Sequence, residues 1–368
     1  MSEKTRNILH LSSAEIWRGA EQQIIYLYQG LQESKHQQKI FCVQDGVLAK
    51  YCSENKISHQ TYKRTTGWNL QLVILLRNYT QAHQIDVIHI HDPHAHHAYL
   101  TAYTLGLRIP AILHRRVDFP TAQNLFSAWK YQCEGIKKII CVSKEVQKVM
   151  NVNSKILKKL EVIYDCVDIQ KFQKINGHQI LEKEYPILKN KLIIANIAAL
   201  VDHKDYPTYI KAVHYLVKVL AIKDLHFLII GDGSLKGVIQ QMIVDYHLEN
   251  YITLTGHRND LPQIMSGIDI YTFTSKLEGF GSTILEVMSA RIPIIATNIG
   301  GPREILTNKQ NALLVSIGDY MAIAHQIDHL KNHPEIAQEL TQKAFQKVQE
   351  FSIQKHIEQV NNIYHQIL

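Results

Sequence analysis

Residues 269–296 read DIYTFTSKLEGFGSTILEVMSARIPIIA. An apolar run rich in β-branched and aromatic residues, Asp269–Thr274, leads into a loop holding Gly279 and Gly281. A helix opens behind that loop, and a second apolar run, Ile292–Ala296, follows. Strand, helix and strand in this order make a βαβ unit, whose right-handed crossover leaves the two strands parallel. The alternation continues outward. Strands are expected at Leu192–Ile197, His226–Ile230, Tyr251–Thr255 and Ala312–Val315. In the first half they are expected at Asn7–Leu11, Lys39–Val43, Asp86–Ile90, Ala111–His114, Lys138–Val142 and Glu161–Tyr164. Between them apolar residues fall three and four apart, as at Ile24, Leu27, Tyr28 and Leu31, the spacing of one helix face. Continuous apolar strands such as IICV at 139–142 suit a sheet covered on both faces.

The strand series restarts after residue 190, and 368 residues fit two domains. The stretch Asp168–Asn190 is polar, Lys-rich and holds Gly177 and Pro186, so the hinge is expected at 169–190. This gives a first domain over 1–168 and a second over 191–351. Residues 319–368 read as helical with a break near Pro334. The fold class is α/β, two Rossmann-like doubly wound parallel sheets facing a central cleft. Ligands of such sheets bind at the carboxyl ends of the strands.

Composition narrows the function classes. At 46% hydrophobic and 20% charged residues, the chain is neither disordered nor collagen-like. No apolar run reaches the ~18 residues of a membrane helix. The N-terminal MSEKTRNILHLSS lacks the apolar stretch of a signal peptide, so a cytoplasmic protein is expected. The five cysteines are scattered and form no C-x-x-C pair, which speaks against a disulfide framework or a zinc ribbon. Residues 1–168 hold 21 Lys and Arg against 14 Asp and Glu; residues 169–368 hold 19 against 19. The formal net charge of +7 thus lies in the first half, where lysines crowd residues 137–159. A solvated helical face accounts for them. So does contact with an anionic membrane surface, which attracts each nearby lysine by ~1 kcal/mol and would hold the protein peripherally on the inner face. No nucleic-acid recognition motif accompanies the charge, so nucleic acid is not an expected partner.

Chemistry concentrates in loops that follow strands. Gly279 and Gly281 let backbone N–H groups approach a ligand. The helix N-terminus behind them favours a phosphate. Glu278 and Glu286 bracket this loop, and carboxylates beside a phosphate site accept hydrogen bonds from sugar hydroxyls. One would reach a hexose and the other a ribose. Thr283 and Glu286 also match the S/T-x-x-E capping box; taken alone, that is the better reading of Glu286. Lys204 follows the first strand of the second half and can meet a phosphate as a point charge. Its alternative is an ordinary surface lysine. Gly231–Ser234, Gly256–Asp260 and Gly300–Glu304 are further strand-end turns. His89 and His91 share a strand face beside Asp92, but the spacing of this histidine group is a weak metal signal.

Three stretches together resemble the retaining glycosyltransferases of family 4, which have the two-domain GT-B fold. They are IAALVDHKDYPTYIKA (197–212), FLIIGDGSLKGVI (227–239) and ITLTGHRNDLPQIMSGIDIYTFTSKLEGFGSTILEVMSARIPIIATNIGGPREIL (252–306). The E-x7-E spacing from Glu278 to Glu286 is that family's hallmark. In the first half WRGAE (17–21), VIHIHDPH (87–94), RRVDFP (115–120), IICVS (139–143) and VIYDCVD (162–168) are similar to it as well.

The resemblance implies a hexosyltransferase that takes a nucleotide-diphosphate sugar and uses no metal or other cofactor. Glu278 would hold the donor hexose near the backbone of Phe280 and Gly281. Ser282 and Thr283 would lie by the diphosphate, Glu286 would bind the ribose, and Lys204 would neutralise the leaving group. His257 and Arg258 would meet the base. Gly19 would approach the phosphate from the first domain, and His114 matches an active-site histidine near the reacting sugar. Arg18, Arg115, Arg116 and Asp118 would border the acceptor, although Arg115 and Arg116 equally suit an ion-paired structural turn. A helix over about 352–368 would pack back on the first domain. The family is similar around His89 and His91 without using a metal, and the chain has no D-x-D motif.

One departure stands out. The family usually carries G-R-L where this chain has Ala198-Ala199-Leu200, so an arginine of the diphosphate grip is missing. The expected acceptor is a saccharide or lipid-linked saccharide used in cell-surface polysaccharide or glycolipid synthesis. A nucleotide-sugar epimerase of the same fold and a catalytically degenerate nucleotide-sugar-binding protein are the alternatives.

Overall fold

The computed structural model describes residues 5–32, 34, 36–65, 69–118, 125–150, 154–173 and 176–368. The chain divides into two compact units: Met1–Cys166 with Ile353–Leu368, and Val167–Ser352.

The first unit holds strands β1 (Asn7–Leu11), β2 (Gln37–Val43), β3 (His59–Tyr62), β4 (Val87–Ile90), β5 (Ala111–Arg115), β6 (Ile136–Cys141) and β7 (Leu160–Val162). They form one parallel sheet in the order β3-β2-β1-β4-β5-β6-β7. Every residue of β4 is buried, as expected of a strand covered on both faces. The helix Gly19–Leu31 buries Ile24, Leu27, Tyr28 and Leu31, the face its spacing predicts. The terminal helix Ile353–Ile367 adds Val360, Ile363 and Tyr364 to a core with Ile8, Leu31, Val87 and Ile112. The sequence reading has no counterpart of β3. Its residues HQTY lie at the sheet edge, and only Tyr62 is buried. An edge strand keeps polar side chains in water and so lacks the apolar alternation that reveals a strand.

The second unit holds β8 (Leu192–Ile197), β9 (Leu225–Ile230), β10 (Ile252–Gly256), β11 (Ile270–Phe273), β12 (Ile294–Thr297) and β13 (Leu313–Val315). These are parallel, in the order β10-β9-β8-β11-β12-β13. Chain direction across the sheet reverses between β8 and β11, and in the first unit between β1 and β4. Such switch points open a crevice at the carboxyl ends of the strands, where ligands of this fold bind.

The stretch 169–190, expected as a hinge, is instead part of the second unit. It forms a 3-10 turn, Gln170–Phe172, and a helix, Gly177–Glu184. Phe172, Leu181 and Leu188 are buried. A Cβ on Gly177 would lie 2.3 Å from the Gly267 backbone nitrogen, so two glycines let the helix dock backbone to backbone. No helix among the described residues is long and apolar enough to cross a membrane.

Candidate active site

Lys204 closes the 3-10 turn Asp202–Lys204 that follows β8, and Glu278 lies in the loop that follows β11. Those strands are neighbours at the switch point, and the two side chains form an ion pair there. The pair is mostly enclosed, with side-chain exposures of 15% for Lys204 and 19% for Glu278. Lys204 Nζ also lies 5.7 Å from the centre of the Phe273 ring. Hydrogen bonds hold the lysine's backbone: Thr274 Oγ1 donates to the Lys204 carbonyl at 2.8 Å, and Lys276 N donates to the His203 carbonyl at 2.8 Å. Asp205, in the left-handed region at φ 52°, is buried and accepts from Thr208 and Lys276. Thr274 and Asp205 are positioning residues absent from the sequence reading; Thr274 acts on the Lys204 backbone from another loop, and Asp205 joins the nearby Thr208 to Lys276 of that loop.

The loop from Glu278 runs into the helix Ser282–Ser289. Phe280 is buried with its ring 5.9 Å from Phe351, which anchors the loop. Gly281 is the N-cap, at φ 85°, and supplies no side-chain cap. Ser282 and Thr283 therefore start the helix, where backbone N–H groups have no carbonyl a turn below. The capping-box reading of Thr283 and Glu286 is overturned, because Thr283 lies inside the helix rather than at its cap. Glu286 is left without that structural role.

Burial pushes the Glu286 carboxyl up from 4.5 to about 7, against a smaller opposing effect of Lys171. A carboxyl raised in the folded state binds its proton more tightly there than in the unfolded chain. The associated stability is present below pH 4.5 and is lost as pH rises through 7. A shift of this size corresponds to at most about 3 kcal/mol, reduced by screening on the part of the residue that meets water. Glu286→Gln is therefore expected to raise the thermal midpoint at pH 8 relative to the parent chain and to leave it unchanged at pH 4.5. Differential scanning calorimetry at both values checks this; an equal gain at both would remove the assignment.

Other predicted donor-side residues are dispersed among strand ends. Arg258 follows β10 but is committed: its guanidinium pairs with Asp260 through Nε at 2.8 Å and Nη2 at 2.7 Å, and with Glu184. These acids hold its side chain against the loop after β10, where the resemblance puts contact with the base, and two of its five N–H donors have no acid partner among the described residues. His257 Nε2 lies 3.0 Å from Asn259 Oδ1 in the exposed part of this loop. Ala199 is exposed in the loop after β8. Gly301, after β12, donates its N–H to the Glu278 carbonyl at 3.3 Å.

In the first unit, Gly19 starts its helix and Arg18 is the N-cap, both exposed. The Arg18 N–H donates to the Glu21 carboxylate at 2.7 Å. His114 is buried at the end of β5. Burial, then the charge of Arg116, holds its imidazole well below its usual pKa. Arg116 forms an ion pair with Asp165, and its Nη2 lies 3.3 Å from His114 Nδ1. A guanidinium only donates, so Nδ1 accepts and neutral His114 carries its proton on Nε2. Arg115 donates to the Tyr131 hydroxyl at 2.8 Å. The ion-paired structural reading thus describes Arg116, while Arg115 stacks over an aromatic ring. Asp118 is buried. Phe119 and Pro120 of the same motif lie outside the described residues.

Two family models match the chain. That of the glycosyl transferases group 1 matches residues 178–347, and that of Glycosyltransferase Family 4 matches residues 17–171. The chain is 25% identical over 329 residues to N-acetyl-alpha-D-glucosaminyl L-malate synthase of Bacillus anthracis, covering 86% of this chain and 84% of that protein. It is 22% identical to the UDP-Gal:alpha-D-GlcNAc-diphosphoundecaprenol alpha-1,3-galactosyltransferase of Escherichia coli, covering 97% and 96%. Among solved structures, Anabaena HepE in complex with UDP and glucose matches at a TM-score of 0.85 and 20% identity, covering 97% of this chain and 99% of that one. The chain belongs to the family 4, group 1, glycosyltransferases with the GT-B fold.

Proposed function

We propose that this glycosyltransferase moves a hexosyl unit from a nucleoside diphosphate sugar to a saccharide or lipid-linked saccharide, with retention at the anomeric carbon. The observation that carries this reading is the Lys204–Glu278 pair at the switch point, beside a helix N-terminus capped only by Gly281. Charge grows on the leaving diphosphate as the bond from the anomeric carbon to its oxygen breaks. Lys204 and the N–H groups of Ser282 and Thr283 offset that charge. Glu278 orients the hexose through its hydroxyls, and Glu286 accepts from the ribose. The acceptor oxygen bonds to the anomeric carbon on the face the diphosphate leaves, and its proton passes to a diphosphate oxygen. His114 would lie near the reacting sugar. With cations and backbone dipoles in this role, added Mg2+ or Mn2+ is expected to leave turnover unchanged.

The diphosphoundecaprenol acceptor in the name of the Escherichia coli relative supports a lipid-linked acceptor, and the excess of lysine and arginine over residues 1–168 suits work at the anionic inner face of a membrane, in cell-surface glycan synthesis. A UDP sugar is the first donor to test, since the names of that relative and of the Anabaena complex both contain UDP. Ala199 favours a second reading, a binder without turnover, because the family's arginine is missing there.

The test is a thermal-shift panel of nucleoside diphosphate sugars followed by a transfer assay. A donor at 100 times its dissociation constant adds about 2.7 kcal/mol of stability. The expected result is a shift by one class of donor and transfer of its sugar. No shift by any donor sinks the proposal; a shift without turnover favours the binder, and an epimerised sugar without acceptor favours the epimerase.

A further inference from the structure

At the switch point of the first unit, His10 on β1 stands opposite His89 on β4. Side chains alternate along a strand, so His91 follows His89 on the same face. The pairing gathers three histidines, of which His10 and His91 are 81 positions apart in the chain. All three are buried, and one ring nitrogen of each lies within 4.8 Å of the others. His10 Nδ1 and His91 Nε2 are 3.2 Å apart. Two nitrogens bound to zinc at 2.0–2.1 Å in tetrahedral geometry sit roughly 3.3–3.4 Å apart.

The remaining ring nitrogens suit ligands as well. Gln38 donates its amide to the Tyr28 carbonyl, which turns its oxygen toward His10 Nε2 at 3.1 Å. His10 therefore carries its proton on Nε2 and presents a lone pair at Nδ1. His89 Nδ1 lies 2.7 Å from the Tyr364 hydroxyl. Its other nitrogen, Nε2, is buried and has no hydrogen-bond partner among the described residues; His91 faces His10 through Nε2, and its Nδ1 points away from the cluster's shared position. His10 and His89 thus each have the second ring nitrogen held on an oxygen, as metal-bound histidines typically do. As a hydrogen-bond network alone, the cluster strands His89 Nε2, a buried nitrogen that such networks normally pair.

We propose that His10, His89 and His91 hold one divalent d-block cation of the zinc class, as a structural ion that ties β1 to β4. The protein donors are the three imidazoles, and a water completes the tetrahedral shell. Asp92 does not join it, because its carboxylate accepts from Ser13 N at 2.6 Å and from the N–H groups of His94 and Ala95. Nitrogen donors suit zinc, cobalt or nickel, whereas magnesium and calcium take oxygen. The nearby Arg116 charge is opposed by its partner Asp165. The ion has no part in the transfer step.

The experiment uses the full chain, stripped with a chelator and re-equilibrated with Zn2+ or Co2+. The expected result is one zinc per chain after gel filtration, a thermal midpoint raised by Zn2+ and unmoved by Mg2+, and the intense visible absorption of four-coordinate cobalt. His91→Gln is expected to lose the ion and the absorption. His333→Gln is expected to keep both; His329 and His333, with rings 4.4 Å apart on the second unit's surface, are the rival site. Absence of zinc from the filtered parent chain, or the weak spectrum of six-coordinate cobalt, overturns the proposal. So does loss of the ion in His333→Gln with retention in His91→Gln. The first two readings use the unaltered chain, so a variant that fails to fold does not rescue the idea.

Discussion

Lys204→Ala and Glu278→Ala each lower turnover at least ~100-fold while the fold survives, which corresponds to about 2.7 kcal/mol of lost transition-state stabilisation. The two should differ in how they fail. In the ligand-free protein the lysine and the glutamate neutralise each other. A bound diphosphate competes with Glu278 for Lys204. Removing the glutamate frees the cation, so Glu278→Ala should bind a nucleoside diphosphate at least as tightly as the parent chain. Removing the lysine leaves a carboxylate facing the phosphates, so Lys204→Ala should bind it more weakly. Steady-state kinetics and calorimetry with the nucleoside diphosphate read both quantities. Parent-like turnover in both variants would remove the pair from the site; tighter nucleotide binding by Lys204→Ala would reverse the roles given to the two charges.

The parallel sheets were legible in the sequence because their strands are buried on both faces. Runs such as Leu192–Ile197 and Asn7–Leu11 are apolar apart from Asn7, His10 and Asn196, and both strands have those bounds. What escaped was decided elsewhere. β3 lies at an edge and needs no apolar pattern. The segment around Gly177 is polar by composition, yet one glycine facing Gly267 and a few apolar side chains dock it on the second unit. Composition averages over a segment, whereas docking depends on a handful of contacts.

At the site, residue types and spacing pointed to the loop but not to its wiring. The capping pattern at Thr283 and Glu286 was misleading because a cap depends on backbone dihedrals, and the N-cap falls at Gly281, in a left-handed conformation two residues before Thr283. The pairing of Arg258 with Glu184 was hidden because the two are 74 positions apart. His10 was invisible beside the histidines of 89–97 for the same reason: only the pairing of β1 with β4 brings them together.

Gly301→Ala is expected to lower catalytic efficiency about 100-fold, although residue 301 would touch no substrate. A Cβ there would sit 2.1 Å from the Gly279 carbonyl oxygen and 2.7 Å from the Phe280 Cα. Both obstacles are backbone, so no rotamer change relieves them. The loop carrying Glu278 must retreat by roughly 1 Å, and a displacement of that size in a reacting geometry can reduce rate by a factor near 100. Overpacking of a tight contact also destabilises by about 1–3 kcal/mol. Gly237→Ala is the control: its Cβ would have nothing within 4 Å, and it lies in the helix Lys236–Asp245. Alanine there should stabilise by about 0.5–1 kcal/mol and leave turnover as it was. Thermal denaturation and initial rates on the two variants separate the outcomes. A fully active Gly301→Ala protein would show that the loop tolerates displacement, and that the placement of Glu278 is not what the tight glycine contact protects.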